Sequence, residues 1–99
     1  MPLFTVTNRA WADLMEIGRY TQKQWGRDQR NKYLAMLDEC FHQLAANPDK
    51  GKDCSEIRSG YRKFTVGSHV AFYRKKGDDT IEIVRVLHVR MDIETRLYG

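Results

Sequence analysis

Two histidines and four arginines in the second half of this 99-residue chain are the side chains best suited to chemistry. RNA cleavage needs a base for the 2′-hydroxyl, an acid for the leaving oxygen and cations for the charge that builds on phosphorus. His69, His88, Arg58, Arg62, Arg74 and Arg85 are of those types, and His88, Arg62 and Arg85 are the set we would assign to such a reaction. No spacing among them demands it, and a lone histidine at a strand end is more often structural or solvated. The arginines have a second use, because a guanidinium forms bidentate pairs with carboxylates and keeps its charge when partly desolvated. Cys40 and Cys54 make neither a CxxC pair nor a Cys/His metal pattern, so no disulfide scaffold, metal site or cofactor is expected, and Cys40 reads as core. P-loop, GxGxxG, GxSxG and HExxH patterns are absent, which removes nucleotide, hydride-transfer, serine-esterase and zincin readings.

The elements that must position these residues belong to one domain, residues 1–99. With 41% hydrophobic and 30% charged residues, the composition is globular. No apolar run approaches the roughly 20 residues a membrane span requires, and the start lacks the features of a signal peptide, so a cytoplasmic chain is expected. The net charge of +4 favours anionic partners. It gathers between Ile57 and Gly77, where Arg58, Arg62, Lys63, Arg74, Lys75 and Lys76 occur with no acidic residue among them.

Leu3 to Thr7 is β-rich, and Asn8 is placed to cap a helix beginning near Arg9. Trp11, Leu14, Met15, Gly18 and Trp25 fall on one helical face, and Gly26 is a natural stop. The spacing of Trp11, Trp25 and Tyr33 favours packing between helices over stacking platforms. After Asp28, a second cap, Tyr33 is followed by Leu34, Leu37, Cys40, Phe41, Leu44 and Ala45 at one, four, seven, eight, eleven and twelve steps. His42 is off that stripe and should be exposed. Asn47-Pro48 ends the helix. Asp49 to Gly60 reads as a loop.

Gly67-Ser68 then separates two strands as a two-residue hairpin with glycine first, a type II′ turn. That turn sets Val66 opposite His69, Phe64 opposite Ala71 and Arg62 opposite Tyr73, with Thr65–Val70 and Lys63–Phe72 on the other face. A last strand follows from Ile81 to His88. The fold expected is α+β, ordered β-α-α-β-β-β, with a helical hairpin on one face of a small, largely antiparallel sheet. Period-2 alternation divides the last strand into Ile81, Ile83 and Leu87 on one side and Val84 and Val86 on the other. Helices can cover one side. The other should form an apolar, arginine-flanked binding surface, the alternative being that the segment from Arg90 to Gly99 folds back over it.

The motifs have a familiar order: Ala12-Asp13-Leu14 with Ile17 and Tyr20, Trp25-Gly26, Phe41-x-x-Leu44-Ala45-x-Asn47-Pro48, Gly60-Tyr61-Arg62 and His69-Val70-Ala71-Phe72-Tyr73-Arg74. Ile81 to Asp92 and Arg96-Leu97 complete it. The whole chain resembles the ParE branch of the RelE/ParE toxin superfamily. The resemblance implies the toxin half of a bacterial type II toxin-antitoxin pair, neutralised by a ParD-like antitoxin and inhibiting DNA gyrase, and so replication, by binding. Direct nucleic-acid binding by the chain alone is not expected. The alternative is the RelE branch, a ribosome-dependent mRNA endoribonuclease. Its YoeB-like members carry a closely spaced terminal His-Tyr pair, whereas here Tyr98 is ten positions beyond His88. Within the ParE reading, Arg58, Arg62, Arg74 and Arg85 are the charged antitoxin contacts and Tyr73, Val84 and Val86 the apolar ones. His88, Arg90, Met91 and Asp92 are the candidates for the gyrase contact.

Overall fold

A computed structural model describes residues 3–90 of the chain. Strand β1 (Leu3–Val6) leads into helices α1 (Asn8–Trp25) and α2 (Arg27–Ala46). After a 3-10 turn, Pro48–Lys50, come β2 (Lys52–Asp53), β3 (Arg62–Val66), β4 (His69–Lys75) and β5 (Thr80–His88). The strands form one sheet in the order β1-β5-β4-β3-β2, with β1 parallel to β5 and all other neighbours antiparallel. The α+β architecture is the one expected, with one strand more. β2 is only two residues long, inside the segment read as loop, and so short a strand leaves no periodic signal.

Thr7, rather than Asn8, caps α1. Its side-chain oxygen accepts the Ala10 N–H at 3.1 Å, and its hydroxyl donates to the Val84 carbonyl at 2.9 Å, tying the helix start to β5. Gly26, at φ 93°, closes α1 and opens α2, and Asp28 sits in the first turn of α2, where the helix dipole favours an acid. Asn47 ends α2 before Pro48.

The β3–β4 hairpin has the register that its turn dictates, from Val66 opposite His69 to Arg62 opposite Tyr73. Gly67 has φ 58°, as the first position of a type II′ turn requires, and a Cβ there would stand 2.7 Å from the Tyr33 hydroxyl. β5 departs from simple alternation. Phe72 pairs with Arg85 and Tyr73 with Ile83, so Val84 is an extra residue, a β-bulge. The bulge switches faces: Ile81, Ile83 and Val86 join Ala71 and Tyr73 beneath the helices, while Leu87 joins Val70 and Phe72 on the opposite side. The expected grouping of Leu87 with Ile81 and Ile83, and of Val86 away from them, is therefore corrected.

The face turned from the helices is not bare. Cys54, Ile57 and Tyr61, from the segment before β3, pack over Val70, Phe72 and Leu87 and form a second, small core. Burial pushes the Cys54 thiol up from its ordinary pKa, partly opposed by Lys63, and burial raises Cys40 as well. The main core joins α2, through Leu37, Cys40, Phe41, Leu44 and Ala45, to the sheet. Each such side chain stabilises the fold by about 1.5–3 kcal/mol. His42 is on the exposed side of α2, as expected.

Helix α1 is rotated relative to its sequence reading. Its buried positions are Ala10, Ile17, Gly18 and Thr21, not the Trp11–Met15–Trp25 stripe. At Gly18 the helices come close, with Leu34 Cδ1 3.5 Å from where a Cβ would stand. Close approach selects small residues at the contact and displaces large ones to the flanks.

Candidate functional site

The displaced side chains make α1 a ridge. Trp11 is 60% exposed, Met15 49%, Tyr20 63% and Trp25 73%, a concentration of large apolar surface that a soluble domain ordinarily buries. A groove runs along each flank. The first, about 470 Å³, is bounded by Trp11, Leu14, Met15 and Gly18 of α1 and by Arg30 and Leu34 of α2, with Arg19 on its rim. The second, about 780 Å³, is bounded by Ile17, Tyr20, Thr21 and Trp25, by Tyr33 of α2, and by Ser68, His69 and His88 where β4 begins and β5 ends. Trp11 and Trp25 were expected between the helices, and their exposure corrects that reading. Tyr33 is half-buried against the core.

At the floor of the second groove the Tyr33 hydroxyl accepts the Ser68 N–H at 3.0 Å and shares a 2.6 Å hydrogen bond with His69 Nδ1. The rings of His69 and His88 meet edge to face at 5.4 Å. Burial, followed by the charge of His88, lowers the His69 pKa against a smaller upward pull from Asp13. The His88 Nδ1 accepts the Arg90 N–H at 3.1 Å. His88 and Arg90 thus stand at the groove end, while Met91 and Asp92 lie outside the described residues.

The sheet residues assigned to antitoxin binding fare differently. Tyr73 is fully buried beneath the helices. Its hydroxyl donates to the Pro48 carbonyl at 2.6 Å and accepts the Gly51 N–H at 2.9 Å. A Cβ at position 51 would collide with that hydroxyl, and burial raises the Tyr73 pKa. Val86 is also buried. Arg85 grips Asp13 of α1 in a fork, Nε to Oδ2 at 2.8 Å and Nη2 to Oδ1 at 3.0 Å, and the Val86 N–H donates to the same carboxylate at 3.0 Å. These three residues have no surface to offer a partner, so they are withdrawn as contacts: Arg85 fixes α1 to β5.

Arg62 donates to the carbonyls of Gly51 at 3.1 Å and Asp49 at 3.4 Å, Arg74 pairs with Glu82 at 2.9 Å, and Arg58 lies over the Tyr61 ring. Val84 is the half-exposed bulge residue. The ribonuclease set is not assembled. Arg62 is level with Tyr73 and His88 with His69, four residues apart along β4, or about 13 Å at strand rise, and Arg85 is committed to Asp13. Among the described residues no group of three or more His, Cys, Asp or Glu is placed to hold a metal, and no helix is long and apolar enough to cross a membrane.

Sequence reasoning had the elements of the Arg85–Asp13 clasp, yet nothing local joins residues 72 positions apart. The Trp11–Trp25 ridge is visible in the sequence as a stripe, and the stripe alone does not show which side faces solvent.

Comparison with known proteins places this geometry. Residues 4–93 match the model of the ParE toxin of type II toxin-antitoxin systems, parDE. The chain is 47% identical over 94 residues to Toxin ParE1 of Mycobacterium tuberculosis, covering 95% of this chain and 96% of the relative. It is 36% identical over 97 residues to Toxin ParE of Escherichia coli, covering 98% and 94%. A solved structure, the chromosomal ParDE toxin-antitoxin system from P. aeruginosa, superposes with a TM-score of 0.76 at 26% identity, over 91% of this chain and 97% of that one. With the family model spanning nearly the whole chain, and the two-helix, mixed-sheet fold shared with a ParDE structure, this chain belongs to the ParE toxin family.

Proposed function

We propose that the chain is the toxin of a type II toxin-antitoxin pair, that a ParD-like antitoxin neutralises it by lying along α1, and that its target is DNA gyrase, inhibited by binding. The observation that carries this reading is the α1 ridge: four large apolar side chains held in water between two grooves, on a helix clamped to the sheet by Asp13 and Arg85. Family membership and the ParDE complex of the structural relative support an antitoxin partner. An acidic amphipathic helix suits the first groove, with apolar anchors against Trp11 and Met15 and carboxylates near Arg19 and Arg30. Arg58, Arg62 and Arg74, with Val84, are secondary contacts for the antitoxin's extended portion. His88 and Arg90, with Met91 and Asp92, are the proposed gyrase contact, and alanine there should abolish toxicity with the fold retained.

Induced expression in a bacterial host should arrest growth, and co-expression of a ParD-like antitoxin should restore it. With purified proteins, Trp11→Ala should weaken antitoxin binding by about 30-fold, the loss typical of a central aromatic anchor. An antitoxin that binds wild type and variant equally well would remove the α1 ridge from the interface.

A further inference from the structure

The register of the shortest strand sets two like charges face to face. Lys52 of β2 is the direct partner of Lys63 on β3. Side chains so paired project from the same face with Cβ atoms about 5 Å apart, and like charges there repel. The other pair in this ladder is Asp53 with Arg62, opposite in sign and directed to the other face, with 3.9 Å between carboxylate and guanidinium. Among the described residues, no ion pair or hydrogen bond joins the ammonium of Lys52 or Lys63 to a carboxylate. Lys63 is also level with Phe72, which places the lysines on the face turned from the helices, beside the small core where Tyr61 packs and where the Arg58 guanidinium stands 5.8 Å from the Tyr61 ring centroid. Glu56 belongs to the covering segment and, like Asp53, acts on Cys54, yet forms no ion pair with either lysine.

A two-residue strand that spends one of its two pairs on repulsion calls for a polyanion. An ammonium is a point charge without the fork that grips one carboxylate. Two of them side by side suit successive phosphates along a backbone. The face is on the far side of the sheet from the α1 grooves. We propose that Lys52 and Lys63 contact the phosphate backbone of DNA, adding a weak nucleic-acid contact to the complex the toxin makes with gyrase. This rests on the gyrase reading above.

The test uses the full chain and a fluorescein-labelled 30-base-pair duplex, with anisotropy measured over a series of salt concentrations. Lys52→Gln/Lys63→Gln should reduce affinity at low salt by about fivefold or more and lower the slope of log K against log[salt] by about 1.8, the value for two lost phosphate contacts. Lys52→Arg/Lys63→Arg should bind like wild type. Lys23→Gln/Lys32→Gln, which removes equal charge from the helices, should keep the wild-type slope. Thermal melting should show the Gln double variant folded and at least as stable as wild type, because a repulsive pair is gone. Equal losses in the two Gln pairs would reduce the effect to net charge and overturn the site. An unchanged slope with new aggregation would make the lysines guards of a sheet edge, and an unchanged slope with lost antitoxin binding would give the face to an acidic peptide; either overturns the proposal. Gyrase inhibition is measured in parallel: a wild-type chain that leaves gyrase untouched defeats the parent reading, whereas inhibition with unchanged DNA binding by the Gln variant defeats the lysine site alone.

Discussion

The face of the sheet under the helices and the face turned away from them handle charge in opposite ways. Where the helices meet the sheet, Arg85 of β5 meets the Asp13 carboxylate of α1 in a fork, the Val86 N–H completes that carboxylate, and the Tyr73 hydroxyl bridges Pro48 and Gly51. On the far face, a small apolar core is capped by one short segment and flanked by facing lysines. The contrast separates polar groups that hold elements together from those left for a partner. Buried ones are satisfied, as no buried side-chain polar atom among the described residues lacks a hydrogen bond. Surface ones tolerate mutual repulsion, at a cost to stability that folding does not require.

Removing one half of a satisfied pair should have the largest effect. Asp13→Ala leaves the Arg85 charge and the Val86 N–H without their acceptor, and urea unfolding should show a loss of about 3–5 kcal/mol. Asp13→Leu/Arg85→Met should recover the part owed to the uncompensated Arg85 charge, leaving a loss of about 1–3 kcal/mol for the Val86 N–H that still lacks its acceptor. Tyr73→Phe keeps the ring and strands the Gly51 N–H and the Pro48 carbonyl, for a loss of about 1–3 kcal/mol in the same assay. A smaller effect follows from His69. Its folded pKa is below its unfolded one because burial disfavours the charged ring. The unfolded chain therefore takes up a proton at pH values where the folded chain resists it. Stability from this ring is full well above the unfolded pKa of about 6.5 and falls as pH drops through it towards the folded value. His69→Gln should flatten the pH profile of the unfolding midpoint in that window. The smallest effect is at the ridge: Trp25→Ala should change stability by no more than about 0.5 kcal/mol, read by thermal melting, as for a surface site outside the packed core.

Much of the fold was legible because local rules carried it. The Gly67-Ser68 turn set every pair of the β3–β4 ladder, and the seven-residue apolar series from Tyr33 to Ala45 gave α2 its buried side. The failures share a cause, in that each depended on an event invisible to periodicity. The extra residue at Val84 reverses the faces of half of β5, so Val86 turns inward and Leu87 outward. On α1, the apolar stripe through Trp11, Met15 and Trp25 has the hydrophobicity of a core face, but hydrophobicity carries no sign of how closely the helices approach. Contact between the helices admits Gly18 and excludes tryptophan. β2 escaped because two residues cannot alternate, and with it went the Lys52–Lys63 pair. The contacts read on the sheet consequently include Tyr73, Arg85 and Val86, residues the fold itself uses.

The most direct test of a toxin that acts by contact is a supercoiling assay with purified gyrase, relaxed plasmid and increasing amounts of the chain, run beside an assay of mRNA cleavage on translating ribosomes. The expected result is dose-dependent loss of supercoiling, relieved by a ParD-like antitoxin, with the mRNA intact. Cleaved mRNA with supercoiling unimpaired would contradict it.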